Sequence, residues 1–343
     1  MELKKEWASL KNGSDIRGIA SEGIEGLHIN LTDEVVYRIA CGFIGFVCEK
    51  LSKKPSELKI AIGHDSRISA ERLKKQCISA FTAMGTTVLD CSLCTTPAMF
   101  MITVDDNFKA DASVMLTASH LPFNRNGLKF FAQDGGFEGK DITRILELAQ
   151  ENSFEFKNDG KVTSVEYLKC YAEHISNLIK KGTGLEKPFE GMKIAVDAGN
   201  GSGGFYADLV LKPLGADTSG SKFLEPDGNF PNHIPNPEDA SAMEAISSAV
   251  IESSSDLGLI FDTDVDRAAI VDETGKSINK NRLIALIAAG LMEEKKGTVV
   301  TDSVTSAGLK TFIEGIGGVH HRFKRGYKNV INEAKKIMAE GGY

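Results

Sequence analysis

The stretch Val114-Met-Leu-Thr-Ala-Ser-His-Leu-Pro-Phe-Asn-Arg-Asn-Gly-Leu-Lys-Phe-Phe131 places reactive side chains between two apolar segments. The two segments, residues 112–116 and 128–131, have the composition of buried β-strands. The residues between them include Pro122 together with several asparagines and a glycine, which are turn formers. We therefore predict a strand, an exposed loop and a second strand, with no helix in this stretch.

The predicted loop and the strand after it carry three side chains with the chemistry of a catalytic site. Ser119 is a candidate nucleophile, His120 is its neighbour, and Lys129 follows just inside the second strand. A loop held between two buried strands is a common way to present a catalytic hydroxyl group. A Ser-His pair in a loop is also compatible with solvated side chains that have no role in catalysis, so the interpretation depends on two further stretches.

Length and composition are those of a soluble globular protein. The 343 residues suffice for two to three domains of about 150 residues each. The hydrophobic fraction of 42% and the charged fraction of 25% are ordinary, and the formal net charge of -7 argues against a nucleic-acid surface or a polybasic membrane patch. No apolar run reaches the ~20 residues of a membrane span, and the N-terminal residues lack the pattern of a signal peptide. We expect a cytoplasmic protein that binds neither nucleic acid nor membrane.

The cysteines give no sign of a disulfide framework or a zinc site. The six cysteines are scattered, and Cys91 and Cys94 form a C-x-x-C motif with no second pair to complete a metal site. We expect reduced, partly buried thiols.

A strand, a polar turn and the start of a helix recur three times, near residues 60, 195 and 300. This recurrence predicts a repeated α/β unit, although such openings are common enough in α/β proteins to occur by coincidence. A polar stretch at residues 151–162 suggests a domain boundary. After the third opening the chain has only a short strand, a basic loop and one more helix, so the third unit is predicted to be incomplete.

The second informative stretch, residues 258–272, contains three alternating carboxylates between apolar strands. Asp262, Asp264 and Asp266 would repel one another at the end of a strand unless a cation lay between them. Ligands that are all oxygen favour magnesium or calcium, and the stretch lacks the glycine and the distal glutamate of an EF-hand. A solvated acidic turn is the alternative.

A divalent ion beside a serine suggests phosphoryl transfer, in which catalysis consists mostly of positioning and charge neutralisation. A serine alone is a poor nucleophile, whereas a phosphorylated serine is a phosphoryl donor. The third stretch, residues 320–328, is basic, contains glycine and precedes a helix, which suits an anion. It is equally compatible with a solvated basic loop.

Together these stretches resemble the phosphohexomutase family, which includes phosphoglucomutase, phosphomannomutase and phosphoglucosamine mutase. Leu121 stands where the family's phosphoserine loop usually has asparagine. The resemblance covers nearly the whole chain, and its motifs are the serine loop (Thr117-Ala-Ser-His120, Asn126-Gly127 and Lys129), the magnesium loop (Asp262-x-Asp-x-Asp-Arg267), the N-terminal signature (Asp15-Ile-Arg-Gly18) and the second-domain segment (Glu225-Pro-Asp-Gly-Asn-Phe-Pro231 and Pro235-Asn-Pro237).

The resemblance implies an α/β fold of repeated mixed-sheet domains, two of them complete and a third partial. We predict a phosphoserine-loop domain at residues 1–162, a magnesium-loop domain at 163–278 and a partial sugar-binding domain at 279–343. The family has four domains around one cleft, with a Glu-x-Ser-Gly-His sugar loop in the third and a phosphate site in the fourth. Neither occurs in this sequence, so we expect a truncated chain that is weakly active or inactive as a mutase.

The resemblance also implies an intramolecular phosphotransferase that moves phosphate between C1 and C6 of a hexose through a phosphoserine and a sugar bisphosphate, with the bisphosphate as activator. The implied roles are Mg²⁺ binding by Ser119, Asp262, Asp264 and Asp266, proton transfer and charge stabilisation by His120, Lys129 and Arg17, contact with the phosphoserine or support of the metal loop by Arg267, and substrate binding by Arg267, Lys324, Gly326 and Lys328.

Three alternatives remain open on the sequence alone: a non-catalytic phosphosugar-binding protein, a phosphoglucosamine mutase and a metal-dependent phosphatase with a serine nucleophile. The sequence determines neither the hexose nor the oligomeric state. It also leaves open whether Ser119 carries phosphate.

Overall fold

The structure is a computed structural model that describes residues 2–342, and the chain divides into two compact units, Met1–Lys276 and Ser277–Tyr343. Each unit contains parallel strands covered by helices, and the first unit also has antiparallel strands. The predicted class, an α/β protein with mixed sheets, is confirmed.

The larger sheet of the first unit has eight strands, in the order β1-β2-β6-β5-β3-β4-β8 with β7 paired to β6. Strands β3, β4, β5 and β8 are mutually parallel, and β6 runs antiparallel to both β5 and β2. The strands are β1 (Lys11–Asn12), β2 (Asp15–Ile19), β3 (Lys59–His64), β4 (Thr87–Leu93), β5 (Ala112–Leu116), β6 (Arg125–Ala132), β7 (Gly135–Gly136) and β8 (Lys161–Ser164).

Helices cover both faces of this sheet because successive strand residues point to opposite sides. In β3, Ile60 and Ile62 pack with the helices α2, α3 and α5, whereas Ala61 faces the core that contains α4 and the start of α6. The side chain of Thr32 caps α2 by accepting a hydrogen bond from Val35 N. The helices are α1 (Lys5–Ala8), α2 (Asp33–Leu51), α3 (Ala70–Ala83), α4 (Thr96–Val104), α5 (Gly139–Glu151) and α6 (Tyr167–Thr183), with a 3₁₀ turn at Pro55–Glu57.

A three-stranded sheet follows in the same unit, in the order β11-β10-β9. Strand β10 is parallel to β9 and forms an antiparallel hairpin with β11. One face packs on α7 and the other on a π-helical segment. The elements are β9 (Ile194–Asp197), a 3₁₀ turn (Ser202–Gly204), the π-helix (Tyr206–Leu211), α7 (Ala240–Ser253), β10 (Leu257–Phe261) and β11 (Ala268–Asp272).

The second unit has two parallel strands and three helices among its described residues. Its core is small, and the buried side chains at its centre are Ala288, Met292, Leu309 and Ile313. The elements are α8 (Lys280–Glu294), β12 (Thr298–Thr301), α9 (Ala307–Gly315), β13 (Val319–Arg322) and α10 (Tyr327–Ala339).

The three predicted openings correspond to β3, β9 and β12, each followed by a turn and a helical segment. The domain limits at residues 162 and 278 stay predictions, and β8 of the large sheet spans the first of them. All six cysteines are free thiols. Among residues 2–342, none of the helices is both long enough and apolar enough to cross a bilayer.

Candidate active site

Ser119 lies in the loop between β5 and β6, and both ends of this loop are buried although Pro122 in its middle is exposed, so the expectation of an exposed loop holds only in part. Ser119 is only 5% exposed, and Asn124 at the far end of the loop is 1% exposed. The expectation was wrong for Ser119 and Asn124 because turn-forming residues specify the bend of a chain and carry no information about what packs on it. Here a guanidinium group fills the inside of the loop, and a second loop covers the serine hydroxyl.

The second loop joins β10 to β11 and carries the three aspartates. Its ends are closed by hydrogen bonds from Asp262 N to Arg267 O (3.1 Å) and from Arg267 N to Asp262 Oδ1 (3.0 Å). Val265 at the tip has a φ of 64°. This tight turn gathers the carboxylates of Asp262, Asp264 and Asp266, each offering one oxygen within 4.8 Å of the others.

The two loops meet at the serine hydroxyl. Ser119 Oγ donates a hydrogen bond to Asp262 Oδ2 at 2.8 Å, and Arg267 Nη2 donates to Ser119 Oγ at 2.7 Å. Arg267 Nη2 also donates to Asp262 Oδ2 at 2.9 Å and to His120 Nδ1. Residues 119 and 262, 143 positions apart in the chain, are thus in direct contact, and His120 and Arg267 lie with them.

Lys129 completes the cluster from the adjacent strand β6. Its Nζ donates to Asp264 Oδ2 at 2.8 Å and to Asp266 Oδ2 at 2.6 Å. Arg17 is more peripheral, because its guanidinium pairs with Asp15 at 2.8 Å, and Asp15 in turn attracts Lys129. The structure therefore brings together the predicted catalytic residues, with Arg17 linked to the others through a carboxylate.

Burial and neighbouring charges shift the protonation of these groups. Burial, with the repulsion of the other two aspartates, raises the pKa of Asp262 well above its usual value. Burial acts in the same direction on Asp264, but the charge and hydrogen bond of Lys129 outweigh it and lower the pKa of Asp264. Burial disfavours the protonated, charged form of Lys129, but the charges of Asp264 and Asp266 outweigh this effect and raise the pKa of Lys129. Burial and Arg267 lower the pKa of His120.

The acidic cluster has the donor set of a site for a hard divalent cation. Its three carboxylates converge, and Asp264 Oδ1 is a buried oxygen for which the described residues provide no hydrogen-bond partner. A buried carboxylate oxygen without a partner is unfavourable, and a cation would satisfy it. Oxygen ligands of this kind suit Mg²⁺, so Asp262, Asp264 and Asp266 fit the ion that the sequence suggested.

Two residues around the site were not predicted as functional. Arg67, in the turn after β3, donates to backbone carbonyls of the serine loop. Thr96, the first residue of α4, holds Asp264 by two hydrogen bonds. Its hydroxyl group donates to Asp264 Oδ2, and its backbone N donates to the carbonyl oxygen of Asp264 at 2.9 Å. The sequence signals were the polar turn after β3 and the Thr-Pro at the start of α4, neither of which specifies a partner so distant in the chain.

The remaining predicted residues lie in the second unit. Gly326, with a φ of 117°, immediately precedes α10. Lys324 is exposed, and its Nζ lies 5.5 Å from the centre of the Phe323 ring, whereas Lys328 is half-buried. The role of Lys324, Gly326 and Lys328 in binding substrate stays a prediction.

Comparison with known proteins shows the family of the chain. Family models described as phosphoglucomutase/phosphomannomutase alpha/beta/alpha domains I, II and III match residues 8–156, 169–275 and 279–343. The phosphomannomutase/phosphoglucomutase of Pseudomonas aeruginosa is 31% identical over 336 residues, which is 98% of this chain and 67% of that protein. The phosphoglucosamine mutase of Alkaliphilus oremlandii is 32% identical over 339 residues, 96% of this chain and 70% of that protein.

A solved structure shares the fold. The phosphoglucomutase/phosphomannomutase family protein of Burkholderia thailandensis aligns with a TM-score of 0.82 and 22% identity, over 99% of this chain and 70% of that one. The chain belongs to the phosphoglucomutase/phosphomannomutase family, which confirms the resemblance. It spans about two thirds of the length of the curated relatives that it matches.

Proposed function

We propose that this chain catalyses phosphoryl transfer of the phosphohexomutase type, with Ser119 as the residue that carries the phosphate. The observation that carries the proposal is the position of Ser119 Oγ, 2.8 Å from Asp262 Oδ2 and 2.7 Å from Arg267 Nη2. The guanidinium of Arg267 is suited to bind the oxygens of a phosphate on Ser119. A cation bound by the Asp262 carboxylate would place a second positive charge next to the same phosphate oxygens.

In the proposed half-reaction, the bond between phosphorus and Ser119 Oγ breaks while a bond from phosphorus to a sugar hydroxyl oxygen forms. The hydroxyl proton is transferred in the same step and ends on Ser119 Oγ, so charge and atoms balance. The sugar bisphosphate then changes its orientation in the site and returns its other phosphate to Ser119. The net result is the movement of phosphate between C1 and C6.

The residues around Ser119 suit the demands of this step. Lys129 remains protonated near neutral pH because its raised pKa keeps it cationic, so it supplies charge rather than accepting a proton. His120 accepts a hydrogen bond at Nδ1 from Arg267 and lies beside the serine hydroxyl, where a proton has to move. Mg²⁺, when held by Asp262, Asp264 and Asp266, would neutralise charge on the transferring group.

The proposed substrate is a hexose phosphate. The relatives include a phosphomannomutase/phosphoglucomutase and a phosphoglucosamine mutase, so glucose, mannose and glucosamine phosphates are the compounds to compare. The residues around Ser119 would contact the phosphoryl group and the cation, and such contacts would be the same for all three sugars. We therefore propose the class of substrate rather than one member of it.

The experiment is a mutase assay with each 1-phosphate, Mg²⁺ and a trace of hexose 1,6-bisphosphate, in which the 6-phosphate and free inorganic phosphate are both measured. We expect 6-phosphate to form without an equivalent release of inorganic phosphate, and we expect neither product with Ser119→Ala. Release of inorganic phosphate alone would identify a phosphatase. Binding of the sugar phosphate without either product would identify a binding protein.

A further inference from the structure

The side chain of Arg67 fills the inside of the serine loop. It is fully buried, with an exposed fraction of 0%. Both terminal nitrogens donate to carbonyl oxygens of that loop or of the residue that follows it. The acceptors are Pro122 O (2.7 Å) and Arg125 O (2.9 Å) for Nη1, and Leu121 O (2.6 Å) and Ser119 O for Nη2.

The surroundings of Arg67 balance its charge and fix its plane. Arg67 Nε lies 3.3 Å from Asp65 Oδ2, and the ring of Phe230 covers the guanidinium at 5.3 Å. Phe230 belongs to the segment that precedes α7, and Gly228 of that segment approaches so closely that an added Cβ would lie 2.4 Å from Ile68 N. Arg67 is therefore fixed by an ion pair, a ring and the backbone of a second segment.

The backbone of Ser119 needs such support. Its φ is 53°, in the left-handed region that non-glycine residues seldom adopt and that is strained for a side chain with a Cβ atom. One of the Arg67 bonds ends on the carbonyl oxygen of Ser119 itself. The Thr117 hydroxyl accepts from Ser119 N at 2.9 Å on the other side of the residue.

We propose that Arg67 is a positioning residue for Ser119: its four carbonyl contacts hold the serine loop in the conformation that directs Oγ at Asp262 and Arg267. The consequence for catalysis rests on the proposed function, whereas the consequence for loop rigidity does not. A lysine could not replace Arg67, because a single ammonium group cannot reach the four carbonyl oxygens that the planar guanidinium contacts through two nitrogens.

The chain offers a matched control in Arg38. Arg38 also donates to two backbone carbonyls, those of Ala149 (2.9 Å) and Gln150 (2.7 Å), and lies 4.9 Å from the ring of Trp7. It therefore has the same chemistry as Arg67 but fixes the end of α5 instead of the serine loop. Arg38→Ala reports what loss of such contacts does to the fold in general.

The experiment uses the whole chain with Arg67→Ala, Arg67→Lys and Arg38→Ala. Two quantities are measured: the rate at which hexose 1,6-bisphosphate phosphorylates Ser119, and amide hydrogen exchange in residues 118–126. We expect Arg67→Ala to slow phosphorylation by about 100-fold, a size seen when reacting groups are misplaced, and to speed exchange in the loop. Arg67→Lys, which keeps a charge beside Asp65, should show the same pattern to a smaller extent.

Added guanidinium ion should restore part of the phosphorylation rate of Arg67→Ala and none in Arg38→Ala, which a general loss of stability would not produce. Wild-type exchange and phosphorylation rates in Arg67→Lys would overturn the proposal, and so would an equal slowing in Arg38→Ala. If Arg67→Ala does not fold, the lysine variant decides. If wild-type Ser119 takes no phosphate at all, the proposed function fails, and loop exchange alone decides the role of Arg67.

Discussion

The two regions predicted to bind phosphate differ in burial and in the pairing of their charges. At the Ser119 site, Asp262 and Asp264 are fully buried, and Arg267 and Lys129 pair with them. In the basic stretch at residues 320–328, by contrast, most of the cationic side chains are exposed to solvent. One region is a closed network of charges, and the other is an open basic surface.

The difference shows what each region requires of the fold. A buried charge is costly unless it is paired, so the carboxylates of the first region need cations in place before any ligand arrives. An exposed lysine such as Lys324 keeps its hydration and can adapt to a ligand without prior contacts. The first region should therefore respond strongly to single substitutions and the second weakly.

The strongest test of this contrast removes the buried ammonium group of Lys129. Lys129→Met leaves Asp264 and Asp266 without their cationic partner, and breaking a buried ion pair costs about 3–5 kcal/mol. We expect denaturant unfolding in EDTA to show a loss of this order. Millimolar Mg²⁺ should stabilise the variant more than the wild type, because the ion replaces the lost charge.

The control is Lys50→Met, since Lys50 pairs with Asp134 at the surface. Such a pair is worth about 0–1 kcal/mol. Equal stabilities of Lys129→Met and wild type in EDTA would show that the acidic cluster does not depend on Lys129.

A second test separates two neighbouring threonines at the start of α4. Thr96 holds Asp264, whereas the side chain of Thr95 caps the helix by accepting from Ala98 N. We expect Thr96→Val to weaken Mg²⁺ binding by about 10–100-fold in calorimetry, the usual cost of losing a group that orients a metal ligand. Thr95→Val should lower the free energy of unfolding by about 1 kcal/mol and leave Mg²⁺ affinity unchanged. The reverse pattern would refute the assignment.

A third test concerns a buried pair in the segment that contacts Arg267. His233 Nε2 lies 3.0 Å from Asp197, and Asn236 nearby accepts from Arg267. Burial opposes protonation of His233, but the bond to Asp197 outweighs it and raises the pKa of His233. The pair with Asp197 therefore stabilises the fold fully at pH values below the pKa of histidine in the unfolded chain, about 6.5. This stabilisation is lost as pH rises through the pKa of His233 in the folded protein.

The measurement is the free energy of unfolding from pH 6 to pH 9 for wild type and His233→Gln. We expect the wild type to lose about 0.5–1.5 kcal/mol more than the variant across this range. The same pH dependence in both proteins would show that His233 is not the titrating group.

The smallest effect is expected in the basic stretch. Lys324→Ala removes an exposed side chain whose ammonium lies over the Phe323 ring. Its stability should stay within about 0.5 kcal/mol of wild type. A loss as large as that of Lys129→Met would contradict the contrast between the two regions.

The sequence predicted those parts of the site that follow from residue type and local order. Three alternating aspartates predict carboxylates that point the same way, which the structure shows, and an apolar strand on either side of Ser119 predicts a loop at that point. Burial of Ser119 was not predictable, because it depends on contacts with Arg67, 52 positions earlier in the chain, and with Asp262, 143 positions later. The bond between Thr96 and Asp264 spans 168 positions, and no periodic pattern marks such a pair.

The central claim is that Ser119 carries the phosphate in transfer. The most direct measurement incubates the protein with hexose 1,6-bisphosphate and Mg²⁺, then determines intact mass and maps the phosphorylated peptide. The account predicts one phosphate, located on Ser119, and no added phosphate in Ser119→Ala. Phosphate on a different residue, or a wild-type protein that interconverts hexose phosphates while Ser119 stays unmodified, would contradict it.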